Sequence, residues 1–486
     1  MITFVMLPDD VLLEIFDFYV DEDVDEDTEE DFGPFGESGI EEWITLAHVC
    51  RRWRSVVFQS PRRLSLQLLC TPETRARDTL DIWPPLPLII RDFDGIFDNE
   101  HSVLDNIIAA LEHNDRVCQI QLRYLTSSQL GYVTDSAAVL KPFPGLTDLH
   151  FGMFVNDKPG PILPESFLGG NASCLRSLHL FNVPFPGLPK LLLSATHIVD
   201  LDLFNIPCSG YIPPEAMAIS LSALTSLESL CLKFRYPRPR PALESRRLLP
   251  LPLTRSILPS LTKILFKGTS EYLEEILART DAPRLDELHI TFFNQLIFDT
   301  PQLFQFISRR PTLRAPEKGR IGFNSGAIIV RFPSQISDYG VVSVRIPCSA
   351  SEWQLSSLEQ LCTSSLPPVS TLETLYISEN RDWRPHWQDD VENTLWLDLL
   401  RSFVAMKNLY LSVEYVPRIA PALRELVWGR TTEVLPILEN IFLEGFQPSG
   451  PLHEGIEKFV AARRLTSHPV AVSRWDRERH WEIYDW

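Results

Sequence analysis

Leu146-Thr147-Asp148-Leu149-His150-Phe151 and Leu175-Arg176-Ser177-Leu178-His179-Leu180 share one spacing, apolar-x-x-apolar-x-apolar. The same unit stands at 117–122, 198–203, 227–232, 261–266 and 285–290, and again at 341–346, 372–377, 406–411 and 438–443. Starts at 117, 146, 175, 198, 227, 261 and 285 lie 29, 29, 23, 29, 34 and 24 residues apart. The step from 285 to 341 leaves room for one degenerate unit around Arg320-Ile321-Gly322-Phe323. One such match means little in a leucine-rich chain, but a recurring interval signals a repeat architecture. Within each unit the last four residues alternate apolar and polar, which predicts a short strand. Between units, 102–113, 271–279, 301–309, 396–406 and 455–463 carry helical patterns.

One strand and one helix per repeat predicts an α/β fold with a parallel sheet. The pattern resembles long, irregular leucine-rich repeats. That resemblance implies a curved solenoid, with parallel strands on the concave face and helices on the convex face. The turn asparagine of tight repeats is mostly missing; Phe181-Asn182 and Phe204-Asn205 come close. The many prolines and long inserts, including the Pro/Arg-rich run Tyr236-Pro237-Arg238-Pro239-Arg240-Pro241, predict exposed inter-repeat loops.

Solenoids bind partners along the concave face. The outward strand positions, with the residue just beyond, give the candidate partner-binding set: Asp148, His150, His179, Phe181, Asp202, Phe204, Lys233, Lys263, Lys267, His289, Arg345, Tyr376 and Tyr410. Polar anchors mixed with aromatics suit a protein partner. The acidic positions precede the basic ones along the chain, an order that would orient that partner. His150, His179 and Asp202 on successive rungs raise a metal site, but ligands spaced by rungs rarely converge, so no metal is expected.

Upstream, Leu7-Pro8-Asp9-Asp10-Val11-Leu12-Leu13-Glu14-Ile15-Phe16 begins a helix: Pro8 needs no amide partner there and Asp9 caps free N–H groups. A second helical pattern runs from Trp43 to Phe58 and stops at Pro61. Between them, 21–42 holds twelve acidic residues and no Lys or Arg, the composition of a disordered insertion. Leu7-Pro8, Glu14-Ile15-Phe16, Leu46, Val49, Cys50-Arg51, Trp53 and Phe58 resemble the F-box family. The resemblance implies a small helical module that docks on a Skp-type adaptor and joins a cullin ligase, with Leu7, Pro8, Ile15, Leu46, Val49 and Trp53 as adaptor contacts. The insertion departs from the family's short turn. Through 7–20, 49–64, 78–85, 298–308 and 472–477, the whole chain resembles the F-box-like proteins with divergent leucine-rich repeats of mushroom-forming fungi. The expected organisation is a module over 1–63, a solenoid over 64–465 and a tail over 466–486.

Composition narrows the field. The 486 residues are 44% hydrophobic, enough for a large core, and carry a net charge of −19. The insertion accounts for −12 of that and the rest for −7. No basic face dominates, so nucleic acid is not an expected partner. No apolar run reaches the length of a membrane span, and no secretory leader is read at the start. Eight cysteines without a C-x-x-C pair predict reduced thiols in the cytoplasm or nucleus. Cys50, beside Arg51 and Arg52, reads as a buried helix cysteine. Nucleophile-elbow, zinc-protease, phosphate-loop and dinucleotide motifs are missing, and Asp389-Asp390 sits in a polar stretch. No enzyme activity and no cofactor are expected. The leading expectation is a ubiquitin-ligase substrate receptor; the alternative is a repeat scaffold outside any ligase, its N-terminal helices serving only as a cap.

Overall fold

The computed structural model describes residues 7–21, 39–60, 66–80, 85–92, 101–155, 160–236, 255–293, 299–310, 313, 316–333, 341–348, 351–365, 367–379, 393–426, 432–447 and 452–477. The fold is mixed α/β, with a large, mostly parallel sheet and helices. It divides into two compact units, Met1–Ile198 and Val199–Trp486. A helical module separate from the sheet is not evident: the N-terminal helices fall in the first unit.

The first unit opens with helices α1 (Asp9–Asp21), α2 (Gly39–Val49) and α3 (Arg51–Gln59), packed on one another. Leu12, Leu13, Phe16, Leu46, Ala47, Val56 and Val57 are buried among the described residues of these helices. Helices take in both ends of the expected insertion, since α1 reaches Asp21 and α2 begins at Gly39; residues 22–38 lie outside the described residues. Cys50 is exposed, and its Sγ caps α3 by accepting from the Trp53 amide at 3.4 Å. Then follow β1 (Leu68–Cys70), α4 (Ala76–Thr79), β2 (Leu88–Arg91), α5 (His101–Leu111), β3 (Val117–Leu125), α6 (Ser127–Asp135), β4 (Asp148–Met153), β5 (Ser177–Phe181) and α7 (Leu188–Leu192). Strands β1 to β5 pair in chain order, all parallel. Helix α5 lies against β1 and β2, and α6 against β3. A reciprocal cap starts α6: the Gln129 amide donates to Thr126 Oγ1 (3.3 Å) and the Thr126 amide to Gln129 Oε1 (2.8 Å).

The second unit runs β6 (Asp200–Ile206), α8 (Pro214–Ser222), β7 (Ser229–Phe234), β8 (Ser256–Ile257), β9 (Lys263–Gly268), α9 (Ser270–Arg279), β10 (Thr280–Asp281), β11 (Glu287–Phe292) and α10 (Pro301–Ser308). It continues with β12 (Lys318–Asn324), β13 (Ala327–Pro333), β14 (Val341–Pro347), α11 (Ser351–Gln360), β15 (Thr374–Glu379) and α12 (Asn393–Arg401). It closes with β16 (Asn408–Leu411), α13 (Val416–Glu425), β17 (Asn440–Glu444), α14 (Glu454–Leu465) and β18 (Ala471–Trp475). The spatial order is β6-β7-β9-β11-β14-β13-β12-β15-β16-β17-β18, with β8 and β10 as a separate parallel pair. Strands β4, β5, β6, β7, β9, β11, β15, β16 and β17 each begin two residues into a repeat unit. Their apolar positions are buried, as Leu288 and Ile290 are on β11, and on β9 and β11 the alternate positions are half-buried. The helices also pack one on the next: α8 on α9, α9 on α10, α11 on α12, α12 on α13 and α13 on α14.

Two expectations need correction. The uninterrupted parallel array breaks at 318–347, where β12, β13 and β14 form an antiparallel meander. Asn324 pairs with Ala327 across Ser325-Gly326, and the Gly326 amide donates to Asn324 Oδ1 at 3.0 Å. That Asn-x-Gly turn makes a tight hairpin where a degenerate repeat was expected. The segment read as a tail also enters the sheet: β18 pairs in parallel with β17, because Trp475 and Val470 gain burial there. The Pro/Arg-rich residues 237–252 and Asp389-Asp390 lie outside the described residues.

Candidate functional site

Helix α1 carries two apolar rows. Leu12, Leu13 and Phe16 face α2 and α3, and the Trp53 ring sits 4.8 Å from that of Phe16. Val11, Ile15 and Phe18, spaced by four and three residues, form a second row that is 41%, 40% and 67% exposed. Val49, at the end of α2, is 57% exposed. Of the six residues picked from sequence, Ile15, Val49 and Pro8 are exposed, Leu7 and Trp53 are half-buried, and Leu46 is buried. Leu46 and Trp53 thus hold the helices together. Arg52 fixes the entry to α1 by donating to the Leu7 carbonyl and pairing with Asp9 at 2.7 Å. Phe18 was missed by sequence reading, although its spacing from Ile15 marks it.

In the first unit, register places Asp148 beside Ser177 and His150 beside His179. The two imidazoles pack with ring centroids 3.9 Å apart. Arg123 Nη2 lies 3.5 Å from His150 Nδ1, and Ser177 Oγ lies 2.7 Å from His179 Nε2. Phe181 is partly exposed at the end of β5. Among the described residues no three His, Cys, Asp or Glu side chains are grouped to hold a metal.

The second unit presents the larger surface. One line of directly paired residues crosses it: His289, Ser343, Arg331, Arg320, Tyr376, Tyr410 and Phe442. Two residues along the strands, Lys233 pairs with Lys267, Lys267 with Thr291, and Thr291 with Arg345. Residues paired or two apart share a face of the sheet, so Lys233, Lys267, Arg345, Arg331 and Arg320 form one cationic field. Burial pulls the Lys267 ammonium below its ordinary pKa, and neighbouring Lys233 and Arg345 pull it further. Burial likewise lowers Arg331, with Arg320 adding to it. Lys263 stands apart, because Glu287 neutralises it at 3.0 Å and also meets His289 at 3.5 Å. Burial holds His289 below its usual value. At one border, Lys233 lies 4.8 Å over the Phe204 ring, and Asp202 pairs with Cys231 one strand over.

At the other border stands an aromatic ladder. Tyr376 stacks on Tyr410 at 4.4 Å, and Tyr410 on Phe442 at 4.3 Å with planes 8° apart. Trp475 abuts both tyrosines at 5.9 and 5.6 Å. Arg320 covers the far side of Tyr376, its guanidinium carbon 5.6 Å from the ring centroid. Beside the ladder, Asn440 donates to Asn408 (2.8 Å) and Asn408 to Thr374 (3.3 Å), tying rung to rung. Sequence reading picked Lys233, Lys267, Arg345, Tyr376 and Tyr410 and missed Arg320 and Arg331, because it expected one degenerate repeat around Arg320–Phe323 in place of the hairpin of β12 and β13. No family model matches this chain, and no curated protein matches it. Among the described residues no helix is long and apolar enough to cross a membrane.

Proposed function

We propose that this chain is a substrate-receptor subunit of a cullin-based ubiquitin ligase. The N-terminal helices act as an F-box-like module that binds a Skp-type adaptor. The strands act as leucine-rich-repeat rungs of a curved solenoid whose concave face holds a target protein, in the cytoplasm or nucleus. The observation that carries this reading is the second apolar row of α1. A helix that only capped a sheet would bury its apolar side chains against it, whereas Val11, Ile15 and Phe18 stand exposed beside an already satisfied core. The sequence likeness at Leu7-Pro8 and Glu14-Ile15-Phe16 supports the same reading.

The test is binding of purified full-length chain to a Skp-type adaptor in complex with cullin, beside Ile15→Asp/Phe18→Asp. Both positions are exposed, so the variant should melt within about 0.5 kcal/mol of wild type, while adaptor affinity falls at least tenfold, about 1.4 kcal/mol. Trp53→Ala is unsuitable, because Trp53 packs on Phe16. A folded wild type that binds no adaptor would overturn the receptor role in favour of a scaffold outside any ligase.

A further inference from the structure

We infer that the face made by Lys233, Lys267 and Arg345, with the Tyr376–Tyr410–Phe442 ladder beside it, is a docking surface for an extended Asp/Glu-rich segment of a partner protein. This names the kind of target the proposed receptor takes, and to that extent rests on the preceding reading.

Charge comes first. The three cations stand on β7, β9 and β14, where Lys233 pairs directly with Lys267 and one strand separates Lys267 from Arg345. None of the three is in an ion pair among the described residues, in contrast to Lys263, which Glu287 holds. Like charges gathered on a half-buried face repel one another, and an anion arriving there relieves that repulsion.

Spacing comes second. Neighbouring strands lie about 4.8 Å apart, so Lys233 to Arg345, three strand steps, spans about 14 Å. An extended peptide repeats its side chains on one side about every 6.8 Å, so residues four apart also span about 14 Å. A segment laid across the strands with acidic residues at alternate positions therefore meets all three cations. Tyr376 lies three further strands on, past β13 and β12. That places an apolar residue of the same segment, about four positions later, against the ladder.

The ladder also decides between protein and nucleic acid. Single-stranded nucleic acid needs open ring faces on which bases stack. Tyr410 is sandwiched between Tyr376 and Phe442, and Tyr376 between Tyr410 and Arg320. The two tyrosines therefore present ring edges, which suit a peptide side chain.

The experiment is fluorescence anisotropy with full-length chain and a short labelled peptide bearing alternating Glu residues and a Leu four positions after the last. Its Gln isostere and a single-stranded RNA oligomer are run beside it. The Glu peptide is expected to bind, to weaken as salt rises, and to bind at least tenfold more tightly than the isostere, about the scale of one charge-assisted hydrogen bond. Lys267→Glu/Arg345→Glu should abolish that difference, and the gentler Lys233→Gln/Lys267→Gln should reduce it with melting unchanged. Equal binding of the two peptides, no binding by wild type, indifference to both variants, or tighter binding of the RNA would each overturn the inference. Ile15→Asp/Phe18→Asp should leave this assay unaltered, so a failure of the adaptor reading and a failure here are distinct results.

Discussion

Arg463 is fully buried, and its Nη2 donates to the carbonyls of Leu435 (3.2 Å), Pro436 (3.2 Å) and Leu438 (3.1 Å). It thereby fastens the turn before β17, where Leu435 holds a positive φ of 52°. Arg463→Ala would strand those acceptors and should cost about 2–4 kcal/mol, seen as an earlier urea midpoint; lysine, a point charge without the planar fork, should recover little. Glu274 plays a comparable part at α10, accepting from the amides of Gln302 and Leu303, both at 2.8 Å. Burial pushes its carboxyl up to about 7 in spite of those bonds. A carboxyl raised on folding takes up protons between its ordinary value of 4.5 and the folded one, so its contribution to stability falls as pH rises through that window. Glu274→Gln keeps an acceptor and removes the charge. It should flatten that slope, as urea midpoints at pH 5 and pH 8 would show, while its NH2 faces one of the two backbone donors and costs about 1–3 kcal/mol at either pH. Neither residue was legible in the sequence, where each read as the polar side of a helix. Asn182 and Asn205 were legible: both take a left-handed φ of 58°, and Asn182 donates to the Phe154 carbonyl at 3.1 Å.

At the scale of elements, α13 and α14 approach so closely that a Cβ on Gly455 would stand 2.3 Å from the Ala420 carbonyl oxygen. The obstacle is backbone, which cannot rotate away. Gly455→Ala should therefore destabilise by about 1–3 kcal/mol, measurable by thermal melting. The strands were legible because a period of two nested in a longer recurring interval fits little besides strands repeated along a sheet, and the helices at 271–279, 301–309 and 455–463 followed from their apolar spacing. The meander was not, because apolar alternation is blind to strand direction. The Asn-Ser-Gly turn held that information, but Ser at its middle obscures the usual pair. On α1, the sequence pattern merged into one stripe two rows that face different ways, since Val11 and Leu12, or Ile15 and Phe16, are adjacent in sequence but differ by about a hundred degrees around the axis. Only packing separates the row that holds the helices from the row that is exposed.

For the whole chain, composition and repeat interval announced a large mixed fold, while the cationic field needed register, because its members come from strands distant in sequence. The C-terminal strand shows the same dependence. Trp475 is buried, and Arg477 donates to the Glu379 carbonyl at 2.6 Å. Truncation after residue 470 should lower the melting temperature by several degrees, and it would leave β17 with an unpaired edge, so light scattering should detect association that grows with concentration. The meander has a consequence in time as well as in space. Elsewhere in the second unit most strands add beside one already placed, so structure can spread by short loop closures. Strand β14 meets β11 only after the chain has run outward through β12 and back through β13, and such a closure forfeits more chain entropy before any contact repays it. Folding of that unit should therefore stall there, and pulsed hydrogen exchange should find the amides of β12, β13 and β14 protected after those of β7, β9 and β11.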